Sequence, residues 1–388
     1  MQQRKKILFI NGHLNAGGCE RSLVDLLCHL DYTKYQVDLL LLEELGDYYR
    51  ELPPEVNVHL FSLNQAFGPF VKCIKDSLRH KDWFSLFFRI IFFFSQQFGK
   101  RQLRFSRHLF RGLTGWYDAV IAYRPGICSD LAAYVFHANK RITWWHHGEF
   151  NYSIKQQSDL DNTYRVFDTI IAVSSCSAAL ILNHIASAQG KVSIIPNMIC
   201  KENLIKKALS GPELSLDDYL IVTVGRMSPE KNMKLCPEVG KLLLDRGFAF
   251  KWYLIGDGAE YQEIKERLDE LQIDHHFTLF GRLDNPYPFI SKANCLVHPS
   301  LVESQGLTVL EAMALQTPVI VVKSDGPSEF IKNGINGILV EADAEKLAEA
   351  IIQLSSESDS QAKMVSSGLE TVNQYSPYNT IIKFEELI

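Results

Sequence analysis

The chain has 388 residues, 46% of them apolar, and 40 Lys or Arg against 45 Asp or Glu leave a formal charge of -5. That length exceeds what one hydrophobic core usually serves and predicts two domains, while the apolar content excludes general disorder. The near-balanced charge argues against broad nucleic-acid coating and leaves room for a small phosphorylated ligand.

The opening MQQRKKILFING reads as a buried strand. It has no long apolar core followed by a small-residue cleavage site, so no signal peptide is expected. Next comes NGHLNAGGCERS, in which Gly12, Gly17 and Gly18 permit tight turns and Glu20 and Arg21 open an apolar-periodic helix. Backbone donors near a helix start suit anions. The spacing is neither GxGxxG nor GxxxxGK followed by Ser or Thr, and a strand-to-helix turn without ligand explains it as well. Eight cysteines, at 19, 28, 73, 128, 176, 200, 236 and 295, form no CxxC or metal-like cluster. They predict small buried thiols in a reducing compartment.

QVDLLLL, VNVHLF, DAVIAY, RITWW, DTIIAV and KVSIIP are further strand-like runs, alternating with helix-like ones such as ERSLVDLLCHL and SSCSAALILNHIA. Short apolar strands separated by helices predict a mainly parallel sheet covered on both faces, closing near Pro196. Within this half, WFSLFFRIIFFF at 83 to 94 is strongly apolar, and Lys72 to Arg111 holds ten Lys or Arg against two Asp. No window reaches eighteen continuous apolar residues, so no membrane span is expected. Aromatic mass beside positive charge predicts a helix or helical pair lying on an anionic bilayer face; the alternative is a core helix with a solvated basic flank. In RITWWHHGEF, an extended chain points Trp144 and His146 one way and Trp145 and His147 the other. His146, His147 and Glu149 are therefore a poor zinc set, and no metal is expected.

Residues 198 to about 216, with Gly211 and Pro212, read as a crossing segment. The pattern then restarts with the strand YLIVTVG, helical NMKLCPEVGKLLLDRG and the strand FKWYLIG. In AEYQEIKERLDELQ, residues Tyr261, Ile264, Leu268 and Leu271 form an amphipathic stripe. HFTLFG, ANCLVHP, PVIVV and GILV follow as strands, with helices from Leu307 and Ala344. The fold class is α/β, with two open Rossmann-like domains whose ligands should gather beyond the strands' carboxyl ends. In VGRMSPEKN, Arg226 and Lys231 stand just past such an end and can converge on adjacent phosphates, with Pro229 and Glu230 beginning the following helix. GDG at 256 to 258, FGRL at 280 to 283 and SDGPSE at 324 to 329 supply flexible backbone at similar positions. Asp257 and Glu329 either touch ligand there or cap helices. VESQGLTVLEAM sets Glu303 in a loop and Glu311 on the next helix, bracketing an extended ligand. Gly306, Leu307 and Thr308 offer first-turn N–H groups between them.

GGCER at 17 to 21, PN at 196 and 197, VGRMSPEKN at 224 to 232, ESQGLTVLE at 303 to 311 and SDGPSE together resemble the retaining glycosyltransferases of the family 4, or group 1, type. These act in bacterial polysaccharide and lipid-glycan biosynthesis and have the GT-B fold, two Rossmann-like domains with parallel sheets facing across a cleft. The resemblance implies an acceptor-side domain over 1–198, completed by a terminal helix at 376–388, and a nucleotide-sugar domain over 199–375. It implies that Arg226 and Lys231 bind the donor diphosphate and that Glu311 accepts hydrogen bonds from the ribose hydroxyls. By the same resemblance, His146 and Glu303 are the catalytic-side groups near the donor sugar. Gly306, Leu307 and Thr308 close around sugar and phosphate, and Gly17 and Gly18 approach from the first domain. His147, Asn197, Asp257 and Glu329 are lesser site candidates.

The implied reaction, free of metal and cofactor, moves a hexose or N-acetylhexosamine from a nucleotide sugar, with UDP favoured over GDP. The acceptor would be a polysaccharide or polyprenyl-linked glycan at the cytoplasmic face of the cell membrane, with an anionic membrane surface and no nucleic acid as partner. A nucleotide-sugar epimerase of the same form and a non-catalytic membrane scaffold are the alternatives.

Overall fold

The computed structural model describes residues 3–64, 66–211 and 218–388. Two compact units divide the chain: Met1–Pro196 with Thr380–Ile388, and Asn197–Asn379. The sequence reading had set the division at 198/199 and assigned all of 376–388 to the first domain.

In the first unit the apolar runs become a parallel sheet. Its strands are β1 (Lys5–Asn11), β2 (Tyr35–Leu41), β3 (Val56–Leu60), β4 (Trp116–Ala122), β5 (His137–Trp145), β6 (Thr169–Ala172) and β7 (Val192–Ile194), in the order β3-β2-β1-β4-β5-β6-β7. Ile7 to Ile10 and Leu39 to Leu41 have no measurable exposure, as a sheet covered on both faces requires. The strand order reverses between β1 and β4, which makes their carboxyl ends the natural place for a ligand. Between β3 and β4 run two helices, Phe70–His80 and Trp83–Phe98, and a 3-10 segment, Lys100–Leu109. Phe88, Leu103 and Phe110 seat this insertion in the core.

The second unit repeats the scheme with β8 (Tyr219–Val224), β9 (Phe250–Ile255), β10 (Phe277–Gly281), β11 (Cys295–His298), β12 (Val319–Val322) and β13 (Ile338–Val340). The order β10-β9-β8-β11-β12-β13 is again parallel and reverses between β8 and β11. The predicted crossing segment is corrected here. Lys201–Leu209 is a helix whose Leu204 and Ala208 enter this unit's core beside Ile290 and Leu310. Pro212 lies outside the described residues. Pro229 and Glu230 do not begin the next helix either. They form one 3-10 turn with Lys231, left-handed Asn232 (φ 52°) ends it, and the helix starts at Leu235.

The last helix, Pro377–Glu385, carries the chain from the second unit's residues to the first's. Fully buried Phe384 lies between Phe9, at 6.0 Å, and Trp144, at 5.7 Å. Thr380 Oγ1 donates to the Pro196 carbonyl (3.3 Å), and Lys5 Nζ donates to the Ile388 carbonyl (2.8 Å). Among the described residues no helix is long and apolar enough to cross a membrane. Phe384→Ala should lower stability by about 3–4 kcal/mol, the usual cost of an emptied aromatic site. Chemical denaturation checks this, and a loss below about 1 kcal/mol would show that the helix does not support the sheet it rests on.

Candidate active site

The candidate residues gather in two clusters, one at the carboxyl edge of each sheet. In the second unit β8 runs out at Gly225 and Arg226, and β11 runs out at Pro299. Lys231 Nζ donates to Glu303 Oε1 at 2.6 Å. His298 Nε2 is 2.9 Å from the same oxygen. A carboxylate can only accept, so His298 carries the proton in that bond. The structure thus joins Lys231 to Glu303, two residues that the sequence assigned to different parts of a donor.

Burial by itself would raise the Glu303 carboxyl. The hydrogen bond and charge of His298, with Lys231, overcome this and hold it at about 2, against an ordinary 4.5. Glu303 is therefore a fixed anion. Arg226 is exposed, within electrostatic reach of Glu230.

Several contacts fix the two loops. Ser300 Oγ and the Leu301 N–H donate to the Glu230 carbonyl, and Asn232 Nδ2 donates to the Pro299 carbonyl. The GDG turn extends this support. The Met227 N–H donates to the Asp257 carbonyl (3.0 Å), and a Cβ on Gly256, whose φ is 147°, would fall 1.7 Å from the Gly225 oxygen. The Asp257 carboxylate accepts from its neighbour's amide at Gly258 and caps no helix. Glu329 stands, exposed, at the carboxyl end of the short helix Asp325–Ser328, where a carboxylate is the wrong sign for a cap. The SDGPSE backbone instead braces the 303–306 loop: the Gly326 N–H donates to the Glu303 carbonyl, and Pro327 packs on Gly306.

Left-handed Gly306 (φ 84°) precedes the helix Leu307–Ala314. The first-turn amides of Leu307 and Thr308 have no helical carbonyl before them. Glu311, on that helix, accepts from Tyr287 OH at 3.0 Å. Asn197 belongs to this unit: its N–H donates to Gln305 Oε1 (2.8 Å), and Gln305 Nε2 donates back to its carbonyl (3.1 Å). Its buried Oδ1 has no partner among the described residues.

In the first unit, His146 and His147 follow the end of β5 and keep the opposed directions expected of them. His146 stacks on Trp144 and lies 4.8 Å from the Tyr123 ring, while His147 meets Trp145 edge-on. Burial, then His147, then Arg124 push the His146 imidazole down to about 3, so the ring is neutral at physiological pH. Its enclosed Nε2 has no partner. His147 is also pushed down, by burial and Arg124. Gly17 caps the helix Gly18–His29, where a Cβ would strike the Glu20 carboxylate.

Glu20 is buried. Arg124 Nη1 lies 3.2 Å and His13 Nδ1 3.9 Å from its Oε1, neither in hydrogen-bonding geometry. The sequence marks Glu20 only as the opening of a helix and does not mark Arg124, although YRPG follows a strand as VGRM does. His298 was missed too. Its only signal was a polar residue closing the apolar run ANCLV. Among the described residues no group of three His, Cys, Asp or Glu could hold a metal ion.

Residues 206–371 match the family model described as glycosyl transferases group 1. That segment, most of the second unit, is similar to the group 1 glycosyltransferases. The lipopolysaccharide core biosynthesis glycosyltransferase LpsE of Rhizobium meliloti is 32% identical over 188 residues, 48% of this chain and 54% of LpsE. The chain spans about half the length, or less, of most curated relatives it matches. A longer match, 25% identical over 86% of the chain and 85% of the relative, is to a Campylobacter jejuni enzyme. Its name is N-acetylgalactosamine-N,N'-diacetylbacillosaminyl-diphospho-undecaprenol 4-alpha-N-acetylgalactosaminyltransferase. The fold matches Anabaena Alr3699/HepE in complex with UDP at a TM-score of 0.70 and 16% identity, over 98% of both chains. That architecture is GT-B, two Rossmann-like units with parallel sheets.

The Glu303 carboxylate sits below its unfolded value, so its contribution to stability is present above pH 4.5 and is lost as pH falls towards 2. Lys231→Met removes one depressing partner. The acid limb of stability should then move up by about one pH unit, read as denaturant midpoints between pH 7 and pH 3. An unmoved limb would mean that Lys231 does not hold Glu303.

Proposed function

We propose that this protein is a glycosyltransferase that moves a hexose or N-acetylhexosamine, with retention, from a UDP-sugar to a polysaccharide or polyprenyl-linked glycan. The observation that carries this reading is the charged cluster at the β8/β11 edge. Lys231 and His298 converge there on the Glu303 anion, with Arg226 in the loop that carries Lys231 and the helix start at 306–308 just after Glu303. HepE is bound to UDP and the C. jejuni relative is named for sugar transfer to a diphospho-undecaprenol-linked saccharide, which supports the choice of donor and acceptor class.

Negative charge grows on the departing diphosphate as the anomeric bond lengthens. A Lys ammonium has three N–H donors, and Glu303 takes one. The others, with the Arg226 fork and the amides, are assigned to the diphosphate, where preorganised donors stabilise the transition state without reorganising. In this reading Glu303 orients the sugar as an anion, and the leaving phosphate oxygen helps deprotonate the acceptor hydroxyl. Glu311 and Tyr287 are assigned to the ribose. From the first unit, the neutral His146 offers its unpaired Nε2 to a sugar hydroxyl. Gly17 and Gly18 keep the backbone open to phosphate or acceptor. His147, Asn197, Asp257 and Glu329 take supporting places. The acceptor is carried at the inner face of the cell membrane, on an anionic surface.

The deciding experiment is a nucleotide-sugar panel incubated with native membrane lipids, followed by mass analysis of the products. Arg226→Ala and Lys231→Ala should each reduce transfer roughly 10²–10³-fold, the scale for loss of one charge-stabilising donor. A chelator should leave turnover unchanged. Wild-type transfer by both variants, or isomerised donor without any glycosylated product, would overturn the proposal.

A further inference from the structure

The helix Trp83–Phe98 is apolar on two faces, and only one of them is used by the core. Phe88 faces the core, with Phe84 and Phe92 packed at its margin. Outward point Trp83 (57% exposed), Phe87 (50%), Phe94 (48%) and Phe98 (70%), with Ile91 half-buried between them. These positions advance by three or four residues, so they form one stripe about 22 Å long at 1.5 Å per residue. Phe105, 57% exposed on the 3-10 segment Lys100–Leu109, continues it. Isolated surface apolar groups need no explanation, but a contiguous stripe of aromatic rings does.

Where helix and 3-10 segment meet, a groove opens, lined by Ile91, Phe94, Phe98, Gln102 and Phe105. The Arg104 guanidinium lies 4.9 Å from the ring centroid of Phe105, one of the groove's lining residues. Lys72, Lys75, Arg79, Lys81, Arg101 and Arg111 are also exposed on this insertion, whose acids are Asp76 and Asp82. Two ties hold it against the core. Lys100 Nζ pairs with buried Asp130 at 2.7 Å, and Arg107 Nε donates to the Val135 carbonyl at 2.5 Å.

We propose that this groove is a lipid site, taking one hydrocarbon chain of an anionic phospholipid while Arg104 holds its phosphate. The stripe beside it lies in the same bilayer leaflet. Three observations select a leaflet over a single soluble amphiphile. The stripe is far longer than the groove, the surrounding charge is almost all positive, and the rings that line the groove are continuous with those outside it. This deepens the membrane-surface reading above and rests on it for location alone. Its test needs neither donor nor acceptor, so its failure would leave sugar transfer untouched.

The whole chain is mixed with phosphatidylcholine vesicles, with the same vesicles containing phosphatidylglycerol, and with the latter doped with polyprenyl phosphate, and bound protein is measured by flotation. Binding should require phosphatidylglycerol and weaken with salt. Phe94→Ser with Phe98→Ser should reduce it more than tenfold. Arg104→Gln should reduce it about fivefold, which is about 1 kcal/mol for one basic residue at an anionic surface. Vesicles with chain-brominated phosphatidylglycerol should quench the fluorescence of Trp83, read as the difference between wild type and Trp83→Phe. Near-ultraviolet circular dichroism of each variant confirms the fold. Equal binding to neutral vesicles, unchanged binding by the double variant, dependence on polyprenyl phosphate, or self-association through this face in place of lipid binding would each overturn the proposal.

Discussion

A carboxylate taken out of water must be compensated or it will protonate, and this constraint at Glu303 organises the second unit. Lys231 and His298 meet it from the loops that leave β8 and β11. Both partners have to be held, which gives the surrounding loop contacts their purpose. Ser300 and Asn232 tie the two loops together. Gly256 lets one strand end pass against another, and Gly326 brings the SDGPSE turn under the Glu303 carbonyl. Residues that look like separate ligand contacts in the sequence are, in the folded chain, mostly supports for one fixed anion and one fixed cation.

The first unit has the opposite character. Its polar groups at the carboxyl edge are close together but incompletely matched: Asn11 Oδ1, Glu20 Oε1 and His146 Nε2 are enclosed without a hydrogen bond among the described residues. Buried polar atoms are paired in the great majority of cases, so three mismatches around one sheet edge are a chemical feature. Burial first, then the neighbouring charges that include Arg124, push both histidines towards the neutral form. A neutral imidazole and an under-satisfied carboxylate suit hydroxyl groups, whereas the Lys231 and Arg226 side suits phosphate oxygens.

Much of the fold was legible because parallel strands covered on both faces appear as plain apolar runs, as in KKILFI and PVIVV. The helix Lys201–Leu209 was not legible, because its burial rests chiefly on Leu204 and Ala208, within a stretch otherwise rich in Lys and Glu. The start of the helix at Leu235 was hidden by Asn232, a non-glycine residue whose left-handed conformation no local rule required. At the candidate site, loop position could be read from motif spacing, but partnership could not. Lys231 and Glu303 are 72 residues apart, and His298 looks like the end of a core strand until β11 is placed beside β8. The pairing of Arg124 with Glu20 stayed hidden for the same reason, since only the placement of β1 beside β4 brings them together.

The terminal helix has a consequence for how the molecule is made. Phe9, on β1, is covered by Phe384, and Lys5 waits for the carbonyl of Ile388, both of which follow the whole second unit in the chain. Domains commonly fold as they emerge, N-terminal part first. Here that order is interrupted: the apolar surface around Phe9 stays unfinished while the second unit is synthesised and free to fold, and the terminal helix closes the gap only afterwards.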